Sequence, residues 1–159
     1  MSGKPGIIRS ARRPRGHLTS RLALGALPAS VPSARAHTHQ VLATWNLTQI
    51  SDSAEIVVTE LVTNAITHGS LSHRGTPIPA VHLQLTAGSG DLVVDVWDAS
   101  CRPPVLNPDV TADEESGRGL LLVDAICDTW RSDTVLGWPG KRVRAVLKIP
   151  GETPVIRNG

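Results

Sequence analysis

Apolar positions recur with helical spacing between Ser51 and Gly69, but polar positions recur there too. In the stretch TELVTNAITHGS, Thr59 to Ser70, the residues Glu60, Asn64 and His68 stand four apart. Residues four apart share one helical face, one turn above the other. With Glu60 at zero on a wheel of about 100° per residue, Asn64 falls at about 40° and His68 at about 80°. Val57, Val58, Leu61 and Ala65 cover roughly 60° to 160°, so the polar stripe crosses onto the edge of the buried face. The pattern predicts a helix that starts from a cap at Ser51 or Ser53, runs to about His68 and stops at Gly69.

The same reading places the other elements. Ala23–Ser30 has the look of a short strand closing on Pro28, and Ser33 of an N-cap for a helix through Trp45. Ala34, Val41, Leu42 and Trp45 are that helix's inward positions. SLSHRGTPIPA is a loop by its Gly, Pro and Ser content. Val81, Leu83 and Leu85 alternate with His82 and Gln84, the period of a half-buried strand. AGSGD turns the chain, and Leu92–Asp98 returns as the second strand of a hairpin. A long Pro-, Gly- and acid-bearing loop follows over 99–116, of a length that is usually functional. GLLLVDAICD is an apolar helix preceded by glycines, and TWRSDTV and KRVRAVLKIP flank LGWPG as a closing hairpin. This order predicts an α+β fold, a two-layer sandwich in which helices cover one face of a mainly antiparallel mixed sheet.

Composition changes this picture in three ways. The 159 residues contain no Phe or Tyr, so Val, Leu, Ile and Trp must supply the packing. Of the 16 basic residues seven precede the first acid, Asp52, and the nine after it face all 14 acids. The domain is therefore mildly acidic, and a basic tail over 1–20, expected to be disordered, makes the sequence look basic. We take 21–150 as the folded domain and 151–159 as a C-terminal tail. The two cysteines, Cys101 and Cys127, offer neither a disulfide framework nor a CxxC zinc pair, which predicts a reduced, cytoplasmic setting. No stretch has the length of about 18 to 20 apolar residues that a membrane span needs.

Three places could carry chemistry. Glu60, Asn64 and His68 either bond to neighbouring loops or line a ligand site, where a carboxylate can take a proton and an amide oxygen suits Mg²⁺. Gly117 and Gly119, before an apolar helix, are ordinary turn chemistry or a close backbone approach to phosphate at a helix N-terminus. Asp98, at a strand end, is an Asx turn or a ligand contact. Other frames fail: Gly140-Lys141 is followed by Arg142 rather than Ser or Thr, and no GxGxxG follows a strand. His37 and His39, two apart, would splay on a helix, and no Ser/His/Asp arrangement is legible from spacing.

Taken together, these signals resemble the ATP-binding domain shared by histidine kinases, Hsp90-type and gyrase-type ATPases, the Bergerat fold. They are most similar to the anti-sigma-factor serine/threonine kinases. TELVTNAITHG looks like that family's N box, VWDASCRPP like its first glycine box and ESGRGLLLVDAICDTW like its second, over about Leu27 to Ile149. The resemblance implies ATP and Mg²⁺ as cofactors. It implies Glu60 as general base, Asn64 as the Mg²⁺ ligand, His68 near the nucleotide and Asp98 on the adenine amino group. Gly117, Arg118, Gly119 and Leu120 would lie along the phosphates, with 99–116 as a lid. The implied activity is transfer of the ATP γ-phosphate to a serine of an anti-anti-sigma partner. The alternative is a nucleotide-gated module that sequesters a sigma factor or another partner with little or no transfer. The implied partners are proteins, with a homodimer among them, rather than membrane or nucleic acid; a nucleic-acid reading rests on the basic tail alone. Two departures stand out. Asp98 is followed by Ala99, Ser100, Cys101 and Arg102 where the family has Asp-x-Gly-x-Gly, and GKRVRAV stands where relatives carry threonines.

Overall fold

The structure, a computed structural model, describes residues 16–69, 80–104 and 118–151. Strand β1 (Leu18–Gly25) leads into helix α1 (Ser30–Thr44), and one 3₁₀ turn (Thr48–Ile50) leads into helix α2 (Ser51–Gly69). Strands β2 (Ala80–Gly88) and β3 (Asp91–Asp98) follow, then helix α3 (Arg118–Ile126) and strands β4 (Thr129–Thr134) and β5 (Lys141–Lys148). The strands form one sheet in the order β1-β2-β3-β5-β4, with all four pairings antiparallel. The predicted α+β sandwich is borne out.

Side-chain alternation fixes the sheet's two faces. One inward row runs Leu22, Leu83, Val96, Val143 and Ser132 from edge to edge. The next inward row ends with Asp98 opposite Lys141 and Lys141 opposite Thr134. The helices cover this face. On α2, Ala54, Val57, Val58, Leu61, Val62 and Ala65 are all buried, an i, i+3, i+4, i+7 stripe wide enough to face both sheet and α1. A fully buried Val or Leu contributes about 1.5–3 kcal/mol relative to exposure, and Leu and Val supply the largest fully buried side chains here.

Several boundaries differ from the sequence reading. The first strand is Leu18–Gly25 rather than Ala23–Ser30, and it begins inside the stretch read as tail. As an edge strand it presents Arg21 and Ala23 outward and Leu22 and Leu24 inward, so only part of it carries an apolar signal. Helix α1 begins at Ser30, whose hydroxyl donates to Gly25 C=O at 2.7 Å. Ser33 is not the cap; its hydroxyl donates to Ala29 C=O at 3.4 Å. Pro32 is tolerated because the first-turn N–H groups have no intrahelical acceptor. Ala34 and Leu42 are buried as expected, with Thr38 between them, and Val41 and Trp45 are partly buried.

α1 is pinned to α2 by a polar chain that spacing could not reveal. Arg35 Nε donates to Glu55 at 2.8 Å, and His39 Nε2 meets the other Glu55 oxygen at 2.5 Å. Ser51 Oγ lies 3.2 Å from His39 Nδ1. Ser51, at the start of α2, is thus held by His39, which lies 12 residues earlier. The 99–116 loop is described only to Pro104, so its lid role falls largely outside the described residues.

Candidate functional site

The candidate residues stand on α2, at the start of α3 and at the ends of β3 and β5. The apolar stripe that buries one side of α2 turns Glu60 and Asn64 to the edge of the interface, where both are half-buried. His68, in the last turn of α2, is exposed. Burial raises the Glu60 carboxyl above the ordinary glutamate value, because a less solvated site disfavours the charged form.

α3 closes onto Glu60. A Cβ added at Gly119 would fall onto Glu60 Oε2, far inside van der Waals contact. Glycine at the second residue of α3 lets the Glu60 carboxylate rest there; any larger residue would turn the end of the Glu60 side chain aside. The arrangement brings a proton acceptor to the amino end of a helix, where N–H groups have no partner within the helix. Arg118 is the first helical residue and is exposed, and Leu120 is buried in the core, anchoring the turn. Gly117 lies outside the described residues.

Asp98 is the last residue of β3 and is buried. It does make the Asx-type turn: Ser100 N–H donates to Asp98 Oδ1 at 2.8 Å, and Arg102 N–H donates to Ser100 Oγ at 3.2 Å. These side-chain bonds organise the start of the loop in place of the family's glycines.

The carboxylate has a second partner that the sequence reading missed. Lys141 Nζ donates to Asp98 Oδ1 at 2.9 Å and lies 2.8 Å from Oδ2, with side-chain exposures of only 7% and 3%. In sequence, Gly140-Lys141 registered as a failed phosphate loop and as part of GKRVRAV, which stands where relatives carry threonines. The available signal was the alternation of β5, which turns Lys141, Val143, Ala145 and Leu147 inward. Gly140 is needed here because a Cβ on it would fall onto Asp98 C=O. Trp138 Nε1 donates to the same carbonyl at 2.9 Å.

The opposite face of the sheet is polar and tied by ion pairs. Arg144 holds the buried Asp95 through two bonds of 2.7 and 2.9 Å, and Arg142 holds Asp133 through two of 3.0 and 2.9 Å. A groove of about 450 Å³ on that face is lined by Arg21, His82, Gln84, Trp97 and Trp138. None of the predicted site residues lines it. Among the described residues no three His, Cys, Asp or Glu side chains converge as a metal site, and no helix is long and apolar enough to cross a membrane.

A helix-borne acid and amide, a second helix abutting the acid and a buried strand-end aspartate thus stand on a two-layer α+β domain. The chain belongs to the histidine kinase-like ATPase domain family, whose model matches residues 24–147. Seven chains of solved structures match it. One is a crystal structure of the RsbU and RsbW domains of Rv1364c from Mycobacterium tuberculosis, at 18% identity and a TM-score of 0.58. The match covers 83% of this chain but 32% of that one, so this chain spans about a third of its neighbour and shares its fold. No curated protein matches the sequence.

Proposed function

We propose that this chain is an ATP-binding regulator that acts as a Mg²⁺-dependent serine/threonine protein kinase on an anti-anti-sigma partner. The observation that carries the reading is the packing of Glu60 against Gly119. It sets a carboxylate of raised proton affinity beside a helix end suited to phosphate. Family membership and a solved neighbour that includes a domain called RsbW support it.

The residues present fit ATP and Mg²⁺. The missing Cβ at Gly119 lets the Glu60 carboxylate lie against the start of α3, and Asp98 offers a buried acceptor at the end of β3. Asn64, half-buried one turn from Glu60, would hold the cation together with phosphate oxygens and water, since Mg²⁺ keeps several waters. Arg118, Gly119 and the described start of α3 would lie along the phosphates, and His68 at the mouth.

Bound ATP would supply the γ-phosphoryl group. Glu60 would take the proton from the partner's serine Oγ as that oxygen forms its bond to phosphorus and the bond to the ADP oxygen breaks. The added phosphate would bring close to two negative charges into the partner's binding surface. Glu60→Gln should abolish transfer from radiolabelled ATP while leaving ATP affinity nearly intact; joint loss of both would remove Glu60 from the role of base.

A second reading, a nucleotide-gated module that binds a sigma factor or another protein without transfer, is favoured by one observation. Asp98 is already bonded to Lys141 and Ser100, so nucleotide must share an occupied carboxylate. Transfer by the wild type decides between the two.

A further inference from the structure

The uncovered face of the sheet carries a groove that the nucleotide reading leaves unused. Cross-strand register sets its floor: Ala23 lies opposite His82, and His82 lies opposite Trp97. Two residues along β1, Arg21 lies opposite Gln84. These side chains all alternate away from the helices. Trp138, from the turn between β4 and β5, joins them in lining the groove. Its walls are held in place by the protein itself. Trp138 Nε1 donates to Asp98 C=O at 2.9 Å, and the Trp138 ring meets His82 edge to face with centroids 5.0 Å apart. Gln84 Nε2 donates to Thr86 Oγ1 at 3.2 Å, and Gln84 Oε1 accepts from Arg21 Nε at 2.7 Å.

Charge singles out Arg21. On the same face Arg142, Arg144 and Lys148 each hold an aspartate, respectively Asp133, Asp95 and Asp91. Arg21 has the neutral Gln84 amide instead, and among the described residues no carboxylate lies within ion-pair distance of it. A guanidinium stays charged at every physiological pH, and with Nε engaged it keeps its Nη donors for an outside acceptor. The groove thus sets one uncompensated cation beside two indoles.

We propose that this groove is a binding site for a small, flat organic anion, an aromatic ring system that carries a carboxylate. Trp97 and Trp138 supply flat apolar walls for the ring, and Arg21 takes the acid through charge-assisted hydrogen bonds. The groove's volume of about 450 Å³ lies within the range of roughly 300–1,000 Å³ usual for small-molecule sites. Walls already fixed by Asp98 C=O, His82 and Thr86 lower the ordering cost that binding must meet. Glu60 and Gly119 stand on the helix side of the sheet, so this site is separate from the nucleotide site and does not depend on it.

The test is an NMR titration of the nitrogen-labelled full chain with naphthoate, and with naphthalenemethanol as its uncharged counterpart. The four tryptophans report separately through their indole N–H signals. Naphthoate is expected to shift the signals of Trp97 and Trp138 and to leave those of Trp45 and Trp130 in place. It should bind about tenfold or more tightly than the alcohol, and Arg21→Gln should remove that difference. Trp97→Ala should weaken both compounds by about tenfold. No shift at millimolar naphthoate, or shifts confined to Trp45 and Trp130, would overturn the inference. Equal affinity for acid and alcohol, or naphthoate affinity unchanged in Arg21→Gln, would overturn it as well. Arg21 is exposed on an edge strand, so Arg21→Gln leaves the packed core untouched and the comparison stands even if Trp97→Ala does not fold.

Discussion

Gly119 and Glu60 share one volume: the space a side chain would need at the start of α3 is filled by the Glu60 carboxylate of α2. Two elements that lie 59 residues apart in number are thereby matched atom to atom at the point where phosphate is expected.

That match is testable by substitution. Gly119→Ala should turn the Glu60 carboxylate aside at little cost in stability, and weaken ATP binding. In a Glu60→Ala background the same change should be tolerated. A double-mutant cycle in ATP affinity should show coupling between the two positions; additive effects would contradict the packing.

Glu60 also sets a pH dependence. Its folded carboxyl titrates above the ordinary value because of burial. Below the ordinary glutamate value both folded and unfolded chains are protonated there and no penalty applies. As pH rises through the raised folded value, the folded chain must carry a half-buried charge and loses stability. Glu60→Gln should therefore raise Tm at pH 8, and the gain should vanish toward about pH 4. A gain that grows with acidity would have the wrong sign.

The outer face gives a prediction about stability alone. Asp95 is fully buried beneath Arg144, which it binds through both oxygens. Asp95→Ala removes the acceptor of two charge-assisted bonds and should destabilise the fold by about 1–3 kcal/mol, read as a lowered midpoint in urea. Nucleotide affinity should hold wherever the variant is folded.

The sequence carried some of this arrangement and hid the rest, for local reasons. α2 was legible because six apolar residues repeat along one face, and the β2–β3 hairpin because alternation meets a turn at Ser89 and Gly90, both at positive φ. β1 was hidden because an edge strand has only half its residues inside and stands beside a basic stretch. The Asp98–Lys141 pair was hidden because its partners lie 43 residues apart and meet only through the β3–β5 register. For the same reason the Ser51–His39–Glu55 chain, which crosses from α1 to α2, left no mark in spacing.

The cysteines should separate cleanly. Burial and the neighbouring Asp124 charge push the Cys127 thiol up to about 11, whereas Cys101 is exposed. The thiolate is the reactive form, so iodoacetamide at pH 8 should label Cys101 and spare Cys127 in the folded chain. Peptide mass spectrometry reads the outcome; equal labelling would contradict the burial of Cys127.

The central claim, that the Glu60–Asn64 face of α2 is the floor of an ATP site, is tested most directly by calorimetric titration of ATP with and without Mg²⁺. The wild type and Asn64→Ala are compared. The account predicts Mg²⁺-dependent binding that Asn64→Ala weakens by about tenfold or more. Absence of binding by the wild type at millimolar ATP, or binding indifferent to both Mg²⁺ and Asn64, would contradict it.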